Sequence, residues 1–177
     1  YAEKMGRKKV TVVHKANIIK QSGAMLLRAA ERISTEFPTI EKEDRIIDNM
    51  AMQMVMYPSR YDVIVTTNLF GDILSDLAAG LVGGLGLVPG ANIGDGYAIF
   101  EAVHGSAPDI AGKNIANPSA LLQSAIMMLH HLDMVEHANR IEKALHKTLA
   151  EKEKTTGDLG GKASTSEFAQ HVIANMA

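Results

Sequence analysis

The stretch Val63-Ile64-Val65-Thr66-Thr67-Asn68-Leu69-Phe70-Gly71-Asp72-Ile73-Leu74-Ser75-Asp76 joins a β-branched run to an apolar, helix-forming one. Val63 to Thr66 predicts a short strand, and the segment from about Asp72 to Val82 predicts a helix. A strand that feeds a helix is the repeating step of covered α/β sheets. The same stretch sets Asp72 and Asp76 four residues apart. On a helix they share one face and repel unless something positive sits between them. A divalent cation would serve, because hard ions such as Mg²⁺ and Mn²⁺ prefer carboxylate oxygen and a magnesium site commonly uses one or two carboxylates with waters and substrate oxygens. An isolated D-x-x-x-D is more often a solvated polar face. The pair alone leaves both readings open.

Downstream, Leu77 to Gly94 runs for eighteen residues without a charge, with glycines at 80, 83, 84, 86, 90 and 94 and a proline at 89. That length raises a membrane span, and Gly80 and Gly84 even stand in G-x-x-x-G spacing. The glycines and proline leave too little continuous apolar surface for one. A helix running into a glycine-punctuated turn accounts for the stretch, since glycine admits positive φ and close backbone approach where the chain bends. Such a bend beside a metal site makes a natural hinge.

Composition sets the remaining bounds. With 177 residues, 46% of them hydrophobic, and 18 basic against 20 acidic side chains, the chain has the size of one ordinary domain and a near-neutral balance. No basic stripe interleaved with aromatics is present, so nucleic acid is not an expected partner. Cysteine is absent, which removes disulfides, thiolate nucleophiles and zinc–cysteine sites together. The opening Tyr1-Ala2-Glu3-Lys4-Met5-Gly6-Arg7-Lys8-Lys9 has no apolar signal core and no initiating methionine, and reads as the interior of a larger protein.

Working outward, Val10 to Val13 predicts a strand that ends in His14-Lys15-Ala16-Asn17. Met25, Leu26, Ala29, Ala30, Ile33 and Phe37 recur at helical spacing, with Pro38 as the stop. A second short strand approaches Asp48. Met50, Met52, Met54 and Met56 alternate strictly, which by period alone says strand; methionine is the better helix former and Pro58 a natural stop, so Asn49 to Met56 is taken as helix. Ala98 to Glu101 is strand-like, and Gly105 to Pro118 is a loop by its composition. Ala120 to Leu132, Val135 to Lys152 and Ser166 to Met176 are helical by pattern. Helices alternating with short apolar strands predict an α/β sheet covered by helices. The glycines do not spell G-x-G-x-x-G after a strand, and no G-x-x-x-x-G-K-[ST] occurs, so a conventional dinucleotide fold is not supported.

Four segments in order, His14-Lys15-Ala16-Asn17, Asp48-Asn49-Met50-Ala51-Met52-Gln53, Asn68 to Asp76, and Ala98-Ile99-Phe100-Glu101-Ala102-Val103-His104-Gly105-Ser106-Ala107-Pro108-Asp109-Ile110-Ala111-Gly112-Lys113, closely resemble the isocitrate/isopropylmalate dehydrogenase family. The resemblance covers essentially the whole chain and implies a two-domain α/β fold without the usual glycine fingerprint, of which this chain covers the second half. It places residues 1–82 in the smaller, dimer-forming domain and residues 83–177 in the larger domain with the cofactor loop. The implied activity is metal-dependent oxidative decarboxylation of a small 2-hydroxy acid, and the stretch from Ala98 to His104 looks more like the isocitrate dehydrogenases than the isopropylmalate dehydrogenases. Isopropylmalate or homoisocitrate as substrate, and a non-catalytic regulatory subunit, are the alternatives.

The resemblance also implies roles. Asp48, Asp72 and Asp76 match the carboxylates for Mg²⁺ or Mn²⁺, with Asp48 contributed by the neighbouring subunit of a homodimer or larger assembly. Lys15, also reaching across the dimer, matches the catalytic lysine of the proton-transfer network, in which Asp48 shares, and Asn17 a residue near nicotinamide and substrate. Glu101, His104, Gly105, Ser106, Ala107, Asp109, Ile110 and Asn117 match the cofactor site, whose backbone N–H groups can cradle phosphate. Asp109 can accept hydrogen bonds from ribose hydroxyls but would repel a 2′-phosphate, and Ile110 offers that phosphate nothing, which points to NAD. The expected location is the cytoplasm for a bacterial source and the mitochondrial matrix for a eukaryotic one.

Overall fold

The computed structural model describes residues 1–176. The chain forms two compact units, Tyr1–Leu81 and Val82–Ala177.

In the first unit, β1 (Lys9–His14) lies between β2 (Glu41–Ile46) and β3 (Val63–Val65), parallel to both. Helix α1 (Lys20–Ser34) joins β1 to β2, α2 (Ile47–Met56) joins β2 to β3, and α3 (Asn68–Leu81) follows β3. Alternation along β1 divides its side chains between two faces. Val13 packs with Met50, Met54 and Leu74 in one buried cluster. Val10 and Val12, from the other register, line an apolar cavity of about 550 Å³ with Leu26, Ala30 and Ile33 of α1. β2 reads Glu-Lys-Glu-Asp-Arg-Ile, a sequence of low strand propensity that pairs at one edge, where charge discourages further pairing. Glu43 anchors it by accepting from Thr11 Oγ1 at 2.9 Å and from Arg45 at 2.7 Å.

The methionine run is helical, and the helix accounts for its alternation. Met50 and Met54, four apart, are buried, whereas Met52 and Met56 point outward at about half exposure. Full burial of such a side chain contributes about 1.5–3 kcal/mol relative to exposure. Two boundaries differ from expectation. α1 stops at Ser34 rather than at Pro38, because the hydroxyls of Ser34 and Thr35 donate back to the carbonyls of Glu31 and Arg32 and close the last turn. α3 begins at Asn68, so Asp72 and Asp76 lie in its second and third turns.

In the second unit, the glycine-rich stretch yields a strand that apolar periodicity did not announce. β4 (Pro89–Ile93) pairs antiparallel with β5 (Ala98–Ala102). Gly90 faces Glu101 so closely that a Cβ on it would stand 3.1 Å from the Glu101 carbonyl oxygen. The core comes from α4 (Ser119–His131), α5 (Val135–Ala150) and α6 (Thr165–Asn175), through Ile126, Ala138, Ala144, Leu145, Phe168 and Val172. Ser124 Oγ on α4 donates to the Glu101 carbonyl at 2.7 Å, and Gln123 Nε2 to the Leu87 carbonyl at 2.6 Å, which seats the hairpin on α4. No helix among the described residues is long and apolar enough to cross a membrane.

Candidate functional site

In the first unit the carboxyl ends of the three parallel strands lead to the singled-out residues: β1 into Lys15 and Asn17, β2 into Asp48, β3 into the start of α3. Ligands of open α/β sheets bind at such ends. Because β1 and β2 are neighbours in register, with His14 opposite Ile46, the residues just beyond them meet. Lys15 Nζ and Asp48 Oδ1 form a close ion pair, Lys15 the more shielded partner. Donation from Lys15 and from a backbone N–H holds the Asp48 carboxyl below the usual carboxylate range, with burial opposing them and the charge of Lys15 adding to them.

The Lys15 turn is supported from below. Its carbonyl accepts from the N–H groups of Ile18 and Ile19 at 3.0 and 2.8 Å. The Ala16 N–H donates to His14 Nδ1 at 3.0 Å, so that nitrogen carries no proton and Nε2 donates to Asp44 Oδ2 at 3.1 Å. A small cavity of about 100 Å³ lies beside Lys15, walled by His14, Ser22, Gly23, Thr67 and Phe70 among others. Asn17 is exposed, and so are Asp72 and Asp76.

Asp72 and Asp76 are not ion-paired to any described residue. Two exposed carboxylates one helical turn apart are a donor set suited to a hard cation. Among the described residues no three Asp, Glu or His side chains converge on one metal position, and Asp48 is engaged with Lys15 instead.

In the second unit a cavity of about 500 Å³ is walled by His104, Gly105, Ser106, Ala107, Ile110 and Asn117, together with Leu85, Gly86, Asn114, Asp158 and Thr165. Ala107 sits in the left-handed region at φ 42°, unusual for a residue with a Cβ, and opens the single turn Pro108–Ile110. The ring of His104 donates from Nδ1 to the Gly105 carbonyl at 2.9 Å. Asp109 is exposed on that turn but does not line the cavity, and neither does Glu101, whose carboxylate accepts from Asn92 across the hairpin at 2.8 Å.

Asn117 is buried and committed at both ends of its amide: Nδ2 donates to Asp158 Oδ2 at 2.9 Å and Oδ1 accepts from the Ser119 N–H at 2.9 Å. The loop is pinned again where Thr165 Oγ1 donates to the Ala116 carbonyl at 2.6 Å and Ser166 Oγ to Asn114 Oδ1 at 2.9 Å. Sequence reasoning missed Asp158, Thr165 and Asn114. Their partners lie 41 to 52 residues away, and no local pattern encodes such pairing.

Comparison with known proteins places this geometry. Residues 1–172 match the family model described as isocitrate/isopropylmalate dehydrogenase. The chain is 55% identical over 98% of its length to a mitochondrial NAD isocitrate dehydrogenase regulatory subunit of Dictyostelium discoideum, covering 49% of that protein. It is 54% identical over 98% of its length to the 3-isopropylmalate dehydrogenase of Archaeoglobus fulgidus, covering 53% of it. The crystal structure of isocitrate dehydrogenase from Methylococcus capsulatus superposes with a TM-score of 0.97 at 52% identity, over 99% of this chain and 52% of that one. The chain thus spans about half the length of the relatives it matches.

Proposed function

The chain belongs to the isocitrate/isopropylmalate dehydrogenase family, and on that premise we propose that its protein oxidises and decarboxylates isocitrate to 2-oxoglutarate and CO₂ while reducing NAD. The observation that carries this reading is the gathering of Lys15 and Asp48 at the carboxyl edge of β1 and β2, with Asp72 and Asp76 on the helix that leaves β3.

A Mg²⁺ or Mn²⁺ ion bound by Asp48, Asp72 and Asp76 would polarise the substrate hydroxyl and stabilise negative charge on its oxygen. The rest falls to the chain. Lys15 takes part with Asp48 in the proton transfer that removes the hydroxyl proton, Nζ passing its own proton to the paired carboxylate as it takes one up. Asp48 keeps Lys15 pointed at this task until substrate and ion are present. As the family resemblance implies, the site is completed by a second copy, with Lys15 and Asp48 from one protomer and Asp72 and Asp76 from its partner; the pairing of Asp48 with Lys15 within the chain is compatible with that arrangement. The loop around His104 to Ala107 offers backbone N–H groups to the dinucleotide, and Asp109 beside Ile110 favours a free ribose hydroxyl over a 2′-phosphate. Such an enzyme works in the cytoplasm of a bacterium or the mitochondrial matrix of a eukaryote.

Two other readings have support in the relatives. Isopropylmalate as substrate is favoured by the Archaeoglobus protein, which is as similar as the isocitrate enzymes. A regulatory role is favoured by the Dictyostelium protein; against it, Lys15, Asp48, Asp72 and Asp76 are all present here. The deciding experiment is NADH formation by the whole protein with isocitrate and Mg²⁺, with isopropylmalate and NADP⁺ as controls. Turnover confined to isocitrate and NAD⁺ is expected. Turnover with isopropylmalate instead supports the second reading, and inactivity of the pure protein with restoration by a sister subunit supports the third.

A further inference from the structure

We propose that Gly23 is a positioning residue for Lys15: its missing side chain lets α1 press against Ala16, and this contact fixes the turn from which Lys15 projects. A Cβ at position 23 would stand 2.7 Å from Ala16 Cα, 2.8 Å from Ala16 Cβ and 3.1 Å from Ala16 N. Carbon atoms in contact ordinarily sit about 3.5–4.0 Å apart, so a methyl group there must displace its neighbour by close to an ångström. The obstacle includes main chain, which has no rotamer to turn aside. Gly23 has ordinary helical backbone and is buried within α1, where alanine is the better helix former. Neither local conformation nor propensity selects glycine, which leaves the close approach.

The same residue is held a second way. Ala16 N–H donates to His14 Nδ1, and the His14 ring is anchored through Nε2 to Asp44 on the edge strand. Ala16 is therefore held by both an imidazole from the sheet and the close approach of a glycine from the helix. Lys15 is its chain neighbour, and its carbonyl is the acceptor for Ile18 and Ile19 at the entry to α1. Pushing Ala16 outward swings the Lys15 Cα, and the ion pair that reaches to Asp48 across two strands loses its geometry. Gly23 touches neither substrate nor cofactor; it acts through Lys15, and this inference rests on the proton-transfer role given to Lys15 above.

The test compares Gly23→Ala with Lys15→Met and with the neighbouring Ala24→Gly in the whole enzyme, reading amide hydrogen exchange beside steady-state kinetics. In Gly23→Ala, exchange at Ala16, Ile18 and Ile19 is expected to quicken by about tenfold while Val12 and Val13 keep their protection. Its kcat is expected to fall by roughly tenfold to a hundredfold with KM for NAD unchanged, whereas Ala24→Gly leaves both near wild type. Wild-type exchange and wild-type kcat in Gly23→Ala, alongside an inactive Lys15→Met, would overturn the proposal. Full turnover in Lys15→Met would instead remove the role assigned to Lys15, and the exchange data then judge the clamp by themselves. Should Gly23→Ala not fold, Ala16→Gly opens the same contact without crowding it. Faster exchange at Ile18 and Ile19 supports the clamp there, and unchanged exchange refutes it.

Discussion

In the first unit the candidate groups are charged side chains set at the ends of parallel strands, whereas in the second they belong to a loop that is pinned through its own Asn114 and Asn117. Lys15 and Asp48 meet in the open, and Asp72 and Asp76 face solvent. Asn117, by contrast, is buried and uses its amide inward, on Asp158 and Ser119. Chemistry in the first unit can thus be removed with little harm to the fold. Recognition in the second cannot be separated from it.

The largest effect tests that independence. Lys15→Met and Asp76→Asn in the whole enzyme are each expected to lower turnover by about 10²–10⁴-fold while the thermal midpoint stays where it is. Loss of the fold in either variant would break the contrast. Asn117→Ala is expected to show the reverse coupling. It removes two hydrogen bonds at a buried position and should cost about 2 kcal/mol in denaturant unfolding, with NAD affinity falling in parallel. Unchanged stability with lost NAD binding would mean that Asn117 reads the cofactor directly.

A smaller effect sharpens how the cavity wall is held. Ser164 caps α6 in a reciprocal box with Glu167, next to Thr165, which pins the loop. Ser164→Ala should cost about 1 kcal/mol and quicken amide exchange around Ala116 without touching turnover chemistry. The smallest is electrostatic. The Asp48 carboxyl titrates lower in the folded protein than in the unfolded chain, so its contribution to stability is complete above the ordinary carboxylate range and is lost as pH falls through the lowered value. Carboxyl NMR titration should find Asp48 below a free aspartate, and Lys15→Met should return it towards the ordinary value.

Much of the first unit was legible because its signals are local. The β-branched runs gave β1 and β3, and methionine at helical preference gave α2 despite its alternating pattern. β4 was not, since Pro89-Gly90-Ala91-Asn92-Ile93 has the composition of a turn and becomes a strand only by pairing with β5. Asp72 and Asp76 stood out by spacing. Lys15 and Asp48, thirty-three residues apart, are adjacent only because β1 and β2 are. A cofactor role for the loop from Glu101 to Asn117 rests on family resemblance, and the cavity there was not legible locally, because Asp158 and Thr165 reach it by tertiary packing.

The central claim is that one protomer supplies Lys15 and Asp48 while its partner supplies Asp72 and Asp76, and mixing two inactive proteins tests it most directly. Lys15→Met and Asp76→Asn protomers, dissociated and reassembled in equal amounts, form mixed dimers in which one of the two sites has every wild-type group. Recovery of about a quarter of the wild-type rate is predicted for random pairing of a two-fold dimer. No recovery, with mixed dimers shown to have formed, would mean that a single chain supplies both sets and would contradict the account.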